Sequence, residues 1–399
     1  MDTRLPRLAI GLLGLVTIVA YGSWFYAFGV LLDPIRADTG WSETLLTSAF
    51  GGAVLASGIV GIAGGSLLDR RGSAVVFAVG GTAGAAGLLL AADAAHPAVF
   101  VAGWVLAGAA LGGLGFYHVT QAAASRVAPT RAPAAIALLT VYGAFASVLF
   151  LPLASMLEAA WGWRATLRVF AAVTFAAFAL AAVGVQARPA GGRPTGRRSV
   201  AGIRLAWGAA PIRRFWIGQT LAGIAVGIVL VYQVPVMVAA GLSAATAAAV
   251  AGARGLLQLS GRIPLAPLVN RLGSVPTLVA AMAAVAVGTA LLPAAGGLVV
   301  AVTFAVLVGF GVGASSPLQG IVAGELFDPD LLGTLMGVTA LVFGVAAAVG
   351  PAAAGLIADV TGSRTGPVVL AAGSAAGAAA VFAFGVARLP RRPGDLHHP

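Results

Sequence analysis

The chain has 399 residues, of which 60% are hydrophobic and only 9% charged, and its mean hydropathy is +1.00. Soluble domains carry roughly 25% charged residues, so the composition excludes a water-soluble globular protein and assigns the chain to lipid. The formal charge of +11 arises from 23 arginines with no lysine, and the absence of cysteine removes disulfides, thiol nucleophiles and thiolate metal sites.

Twelve apolar segments follow one another, at roughly 8–32, 43–67, 74–92, 97–120, 132–156, 166–186, 213–239, 245–268, 275–293, 298–323, 331–357 and 366–388. Each is near or above the roughly 20 residues needed to cross about 30 Å of hydrocarbon. The first follows Arg4 and Arg7 but runs on to Leu32. That exceeds a signal-peptide core of roughly 7–15 residues, so the segment is expected as helix 1. Between the sixth and seventh segments, residues 187–212 carry five arginines, prolines, glycines and no acid. They are expected as a basic linker at a membrane surface, with residues 203–216 lying in the interface. The expected fold is an all-α membrane protein with twelve transmembrane helices in two pseudo-symmetric six-helix bundles around a central cavity. Residues 1–186 form the N-terminal bundle, 187–212 the cytoplasmic linker, and 213–399 the C-terminal bundle with a short cytoplasmic tail.

With both ends inside, 18 arginines fall in inside segments and four, Arg36, Arg164, Arg168 and Arg364, fall outside. This bias places both termini in the cytoplasm of a multi-pass protein of the cytoplasmic membrane. The positive charge is therefore a topology signal and not a nucleic-acid footprint.

The two halves echo each other. Asp69-Arg70-Arg71-Gly72-Ser73 returns 201 positions later as Asn270-Arg271-Leu272-Gly273-Ser274, and Gly162 and Arg164 match Gly362 and Arg364. Duplicated apolar halves with matching punctuation are the pattern of a transporter whose substrate site lies between the repeats. Glycine strings such as Gly51-Gly52, Gly58, Gly61 and Gly64-Gly65 are expected as close-packing faces.

The loop Gly65-Ser66-Leu67-Leu68-Asp69-Arg70-Arg71-Gly72 resembles the signature between helices 2 and 3 of the major facilitator superfamily, and Gly350-Pro351, Gly355 and Asp359 in helix 11 also fit. The resemblance implies two six-helix bundles, a central cavity and rocker-switch alternating access. Tyr21-Gly22-Ser23-Trp24-Phe25-Tyr26, Gly143-Ala144-Phe145-Ala146-Ser147 and Trp161-Gly162-Trp163-Arg164 are similar to bacterial relatives of the monocarboxylate porters and oxalate/formate antiporters. Helix 1 lacks the acid that opens the monocarboxylate motif in animal members, so proton coupling of that kind does not follow.

Asp69 ends helix 2 where helix 11 begins, and a carboxylate beside a helix N-terminus is stabilised by its dipole by about 0.3–1 kcal/mol. Asp69, Arg70, Arg71 and Gly72, with Arg262, Asn270 and Arg271 in the second copy, are therefore the expected gating residues. Asn270 replaces the acid, so the two copies are not equivalent.

Arg254 is the strongest chemical signal. As the tenth residue of a helix entering near Ala245 it lies about 15 Å deep, at the midplane. An arginine there costs about 2.5 kcal/mol or more and persists when it faces water, a partner or a ligand. Gln258 and Arg262 follow at i+4 steps on the same face. Asp33, Asp69, Glu158, Glu325, Asp328 and Asp359 all fall near helix ends, so an anionic substrate is the expected partner. The alternative is pairing with backbone carbonyls or with one of those acids after a register shift. Tyr21 and Trp24 in helix 1, Tyr232 and Gln233 in helix 7, and Ser315 and Ser316 before Pro317 in helix 10 complete the candidate substrate contacts. His118 is the candidate proton carrier, with packing as its alternative.

Enzyme chemistry lacks its parts: there is no Walker loop, no metal-ligand cluster and no nucleophile–base pair. The sequence therefore predicts a secondary carrier of a small, monocarboxylate-like organic anion. It is expected to work as a monomer, without cofactor or nucleic acid, with protons as a candidate coupling ion. The alternatives are an efflux carrier for hydrophobic or cationic compounds, or a non-transporting membrane sensor.

Overall fold

In a computed structural model the chain is described over residues 6–187, 207–327 and 331–385. Most of the expected linker, the C-terminal tail with its arginines, Arg4 and Asp328 lie outside the described residues. The described residues are helical, with no strand among them. In hydrocarbon every backbone N–H and C=O must find a partner within the protein, and a helix achieves this within one segment.

The helices are α1 (Arg7–Thr39), α2 (Glu43–Arg71), α3 (Ser73–Ala92) and α4 (Pro97–Val127). The stretch Ala132–Gly184 turns sharply at Gly162, with φ 78° and ψ 167°, and so consists of two helices, α5 before the turn and α6 after it. Then come α7 (Ala210–Ala239), α8 (Ala244–Arg262), α9 (Ser274–Leu291), α10 (Leu298–Leu326), α11 (Leu332–Thr361) and α12 (Thr365–Gly385). Ten helical stretches among the described residues are long and apolar enough to cross a bilayer, with Pro129–Gly184 taken as one and α8 not among them. The face at which α1 begins and α12 ends is called here the terminal face, and the opposite one the distal face.

The sequence echo persists in the backbone. Among the described residues six glycines have positive φ, and they form three pairs about 200 positions apart: Gly40 with Gly241, Gly72 with Gly273, and Gly162 with Gly362. Each supplies a left-handed turn that a side chain would strain. The caps repeat too. Ser42 Oγ accepts from the Leu45 amide at 3.2 Å to start α2, and Ser243 Oγ accepts from Thr246 at 3.1 Å to start α8.

Three departures from the expected elements bear on the site. Helix 8 was expected to reach residue 268, but α8 ends at Arg262 and a short helix, Leu265–Leu272, follows. Pro264 lacks the N–H needed to carry the helix through. Within α1, Tyr21–Tyr26 is a π-helical turn. In α4, Gly108–Gly112 is also π-helical and Phe116, with ψ 171°, breaks the helix outright. Such wide turns re-aim side chains and gather at functional sites.

The two parts of the chain meet along α1 with α7, α2 with α11, and α5 with α8. The part of α1 that touches α7 is its distal portion, Ala27–Thr39. The terminal portion of α4, Tyr117–Val127, packs against α1, α2 and α5 of its own half. Within the first half, α3 and α4 approach backbone to backbone. A Cβ on Gly103 would lie 2.6 Å from the Ala91 amide nitrogen, and one on Gly87 would lie 2.5 Å from that of Ala107. Gly103→Leu is therefore expected to destabilise the fold by about 1–3 kcal/mol. This is read as a clear fall in melting temperature in detergent. Gly58→Ala, whose Cβ meets nothing within 4 Å, should leave the melting temperature unchanged.

Candidate functional site

Arg254 is buried, with 4% of its surface exposed, in the middle of α8. Its Nε donates to Gln233 Oε1 of α7 at 2.7 Å, and Gln233 Nε2 donates in turn to the Leu230 carbonyl at 3.4 Å. The amide thus meets one edge of the guanidinium, while no acid forms an ion pair with Arg254 or Arg262 among the described residues. One turn toward the terminal face, Gln258 Oε1 accepts from Arg262 Nη2 at 3.4 Å.

Gln258 and Arg262 line a cavity of about 60 Å³ with Gly255, Tyr21 and Tyr26 of α1, Tyr117 of α4, and Gly143 and Ala144 of α5. The altered backbone of α1 and α4 builds its aromatic wall. Tyr21 stacks on Phe116, the residue at the α4 break, with ring centres 3.7 Å apart and planes 2° from parallel. Tyr117 donates to the Thr140 carbonyl at 3.3 Å. Gly143 and Gly255 leave room that a methyl group would fill, since a Cβ would strike the hydroxyl of Tyr117 or of Ser147. The chamber therefore combines three phenols, an amide and a guanidinium, with a second guanidinium, Arg254, one turn beyond the amide, and no carboxylate lines it.

The sequence profile of the Major Facilitator Superfamily matches residues 13–249 and 215–398. The chain belongs to this superfamily. Its structure is similar to that of the nucleoside transporter NupG, with TM-score 0.80 at 14% identity over 96% of this chain and 98% of that one. It is similar to a D-xylose–proton symporter, with TM-score 0.72 at 14% identity over 96% and 98%. It is also similar to a peptide transporter, POT, in complex with sulfate, with TM-score 0.73 at 13% identity over 95% and 94%. No curated protein matches the sequence. The protein is thus a multi-pass membrane transporter and not an enzyme.

The remaining sequence-predicted residues of the transporter scatter. Trp24 is fully buried among Phe25, Phe50 and Phe116, so its ring packs behind the cavity wall instead of lining it. Tyr232 is buried with its hydroxyl turned toward the Glu43 carboxylate, too loosely placed for a hydrogen bond. Ser315 is buried and donates to the Val312 carbonyl at 3.1 Å. Ser316 is exposed in a hollow of about 310 Å³ between the terminal portions of α10 and α11, with Gln319, Thr339 and Phe343. His118 bonds through Nε2 to the Gly113 carbonyl at 3.1 Å, which makes Nε2 the protonated nitrogen. It thereby satisfies a carbonyl at the α4 break.

At the repeated loops, Gly72 and Gly273 make the left-handed turns, while Arg70, Arg71, Asn270 and Arg271 are exposed. Asp69 pairs with Arg126 of α4, whose Nη1 also donates to the Leu68 carbonyl at 3.0 Å. Among the described residues this bond lies within its own half; residues 328–330, just before the start of α11 where Asp69 was expected, lie outside them.

Sequence reasoning passed over Tyr26 and Tyr117 as cavity residues, and Glu43 altogether. Glu43, 1% exposed, joins Asp33, Arg36, Asp359 and Arg364 at the distal face around a hollow of about 770 Å³. Burial by itself would lower the pKa of Arg364, but the hydrogen bonds and charges of Asp33 and Glu43 raise it, so its guanidinium stays charged.

Gln233→Leu removes the acceptor from Arg254 Nε, and a hydrogen bond to a charged group is worth about 1.5–3 kcal/mol. The expected outcome is a marked fall in melting temperature. Gln233→Glu, which keeps an acceptor in place, should fall less.

Proposed function

We propose that this transporter is a secondary carrier for a small organic anion, monocarboxylate-like in size and charge. It works by rocker-switch alternating access in the cytoplasmic membrane. On this reading it crosses the membrane twelve times in two six-helix bundles. Gly162 divides one long helical stretch into two crossings, and α8, made less apolar by Arg254, Gln258 and Arg262, supplies another. The 18-to-4 arginine bias puts the terminal face in the cytoplasm.

The observation that carries the substrate class is positive charge without a counter-charge. Two arginines share one face of α8 beside a cavity of phenols, and no acid pairs with either among the described residues. Gln233 orients Arg254 by its Nε while Nη1 and Nη2 make no hydrogen bond among the described residues. That edge suits bidentate capture of a carboxylate. Arg254, Arg262 and Gln258 then bind the anion, and Tyr21, Tyr26 and Tyr117 offer hydroxyls and flat apolar walls. Arg262 thereby acquires a substrate role beside the gating role expected of it, and the 69–72 and 270–271 loops keep theirs at the cytoplasmic face. A monomer with no cofactor suffices.

Uptake of labelled lactate, pyruvate, formate and oxalate into proteoliposomes, with and without an inward proton gradient, tests this reading. Saturable uptake of at least one is expected. It should fall roughly 10- to 100-fold in Arg254→Gln and in Arg262→Gln, as loss of a charged hydrogen bond implies. Uptake of none, or uptake indifferent to both arginines, would overturn the anion assignment and favour efflux of hydrophobic or cationic compounds.

A further inference from the structure

Among the described residues, the densest polar contact between the two parts of the chain lies at the distal face, where α11 and the α11–α12 turn meet α1 and α2. Arg364 Nη1 donates to Asp33 Oδ2 at 3.0 Å and Nη2 to Asp33 Oδ1. The same guanidinium reaches Glu43 through Nε at 3.3 Å and Nη2 at 3.2 Å. Arg36 Nη1 closes on Glu43 Oε2 at 2.9 Å. From the other side, Asp359 at the end of α11 accepts from the Glu43 amide at 3.1 Å, the Thr44 amide at 2.7 Å and the Thr44 hydroxyl at 2.6 Å.

The cap of α2 is therefore divided between the halves. Ser42 takes the Leu45 amide, and a carboxylate from α11 takes the two amides before it. A carboxylate in that position is held both by hydrogen bonds and by the helix dipole. Gly355 brings α11 close enough for this, since a Cβ there would meet Thr47 and the Glu43 carbonyl.

The pseudo-symmetric contact of α5 with α8 is built differently. Glu158, near the end of α5 as Asp359 is near the end of α11, makes no hydrogen bond among the described residues, and α8 is capped from its own half by Ser243. The helices meet instead through small groups. Ser147 Oγ donates to the Gly252 carbonyl at 3.1 Å, and Gly255 faces the same serine.

We infer that the Asp359–α2 cap and the Arg364–Asp33–Glu43 cluster form a one-sided latch that holds the distal face shut, with the α5–α8 seam as the uncharged side about which the halves part. The inference rests on the alternating-access reading above and not on the identity of the substrate.

The chain has no cysteine, so introduced pairs label cleanly. Ala37→Cys and Ala239→Cys lie on opposite halves, both exposed at the distal hollow. Spin labels on this pair, in lipid nanodiscs without substrate, report distal opening. Asp359→Asn and Arg364→Gln should each raise the ratio of long to short distances at least about fivefold, whereas Ser147→Ala should change it less than twofold. Should Arg364→Gln fold poorly, the exchanged pair Asp33→Arg with Arg364→Asp is expected to restore a short-distance majority, while Asp33→Arg alone shifts to long distances. An unchanged distribution in Asp359→Asn, or an equal shift in Ser147→Ala, would overturn the latch. Because no substrate enters the readout, failure of the anion assignment leaves this result standing.

Discussion

A buried positive charge with no acid to answer it among the described residues is the constraint around which this transporter is organised. Arg254 sits in the middle of α8, and the nearest help is the amide of Gln233 on α7. An amide orients a guanidinium but leaves its net charge intact. The same face continues through Gln258 to Arg262, so the charge extends toward the terminal face instead of being confined to one residue. Hydroxyls can line such a site without competing for the arginines as a carboxylate would. Three tyrosines supply them. They reach the cavity because α1 widens at Tyr21–Tyr26 and α4 breaks at Phe116.

The contact between the two parts of the chain uses two physical means. Small residues let backbones approach, as where Gly51 of α2 meets the Ala348 carbonyl of α11. Dispersion at such contacts is individually weak and depends on close fit. Charge acts over a longer distance and is concentrated at one corner of the distal face, in Asp33, Arg36, Glu43, Asp359 and Arg364. Duplication fixed the backbone more firmly than the side chains. The three left-handed glycine pairs are intact, whereas Asp69 has become Asn270 and the cap made by Asp359 has no counterpart at Glu158.

What was legible in the sequence is what depends on composition and spacing. The apolar segments, the repeated loops around Gly72 and Gly273, and the place of Arg254 in the middle of its helix followed from counting along the chain. The pairing of Arg254 with Gln233 brought together two residues already singled out, but their contact depends on how α7 and α8 rotate against each other, which spacing does not encode. Tyr26 and Tyr117 were hidden for a related reason. Their aim is set by a π-helical turn and a helix break, and the crowded glycines at Gly108, Gly112, Gly113 and Gly115 were the available signal. Trp24 misled because a central aromatic in a helix looks the same whether it lines a path or packs behind it. Glu43 carried no motif; its meaning comes from Asp359 and Arg364, more than 300 positions away.

The divided cap of α2 has a consequence for how order is distributed in the molecule. Ordinarily the end of a helix is satisfied by its own neighbours, and its fraying is a private matter of one segment. Here the Glu43 and Thr44 amides are satisfied by a side chain that belongs to the other half. Separation of the halves leaves those amides to water, so the first turn of α2 and the closure of the distal face share a single equilibrium. On the latch proposed above, the order of that first turn and the closure of the distal face are coupled, and whatever stabilises one weights the other.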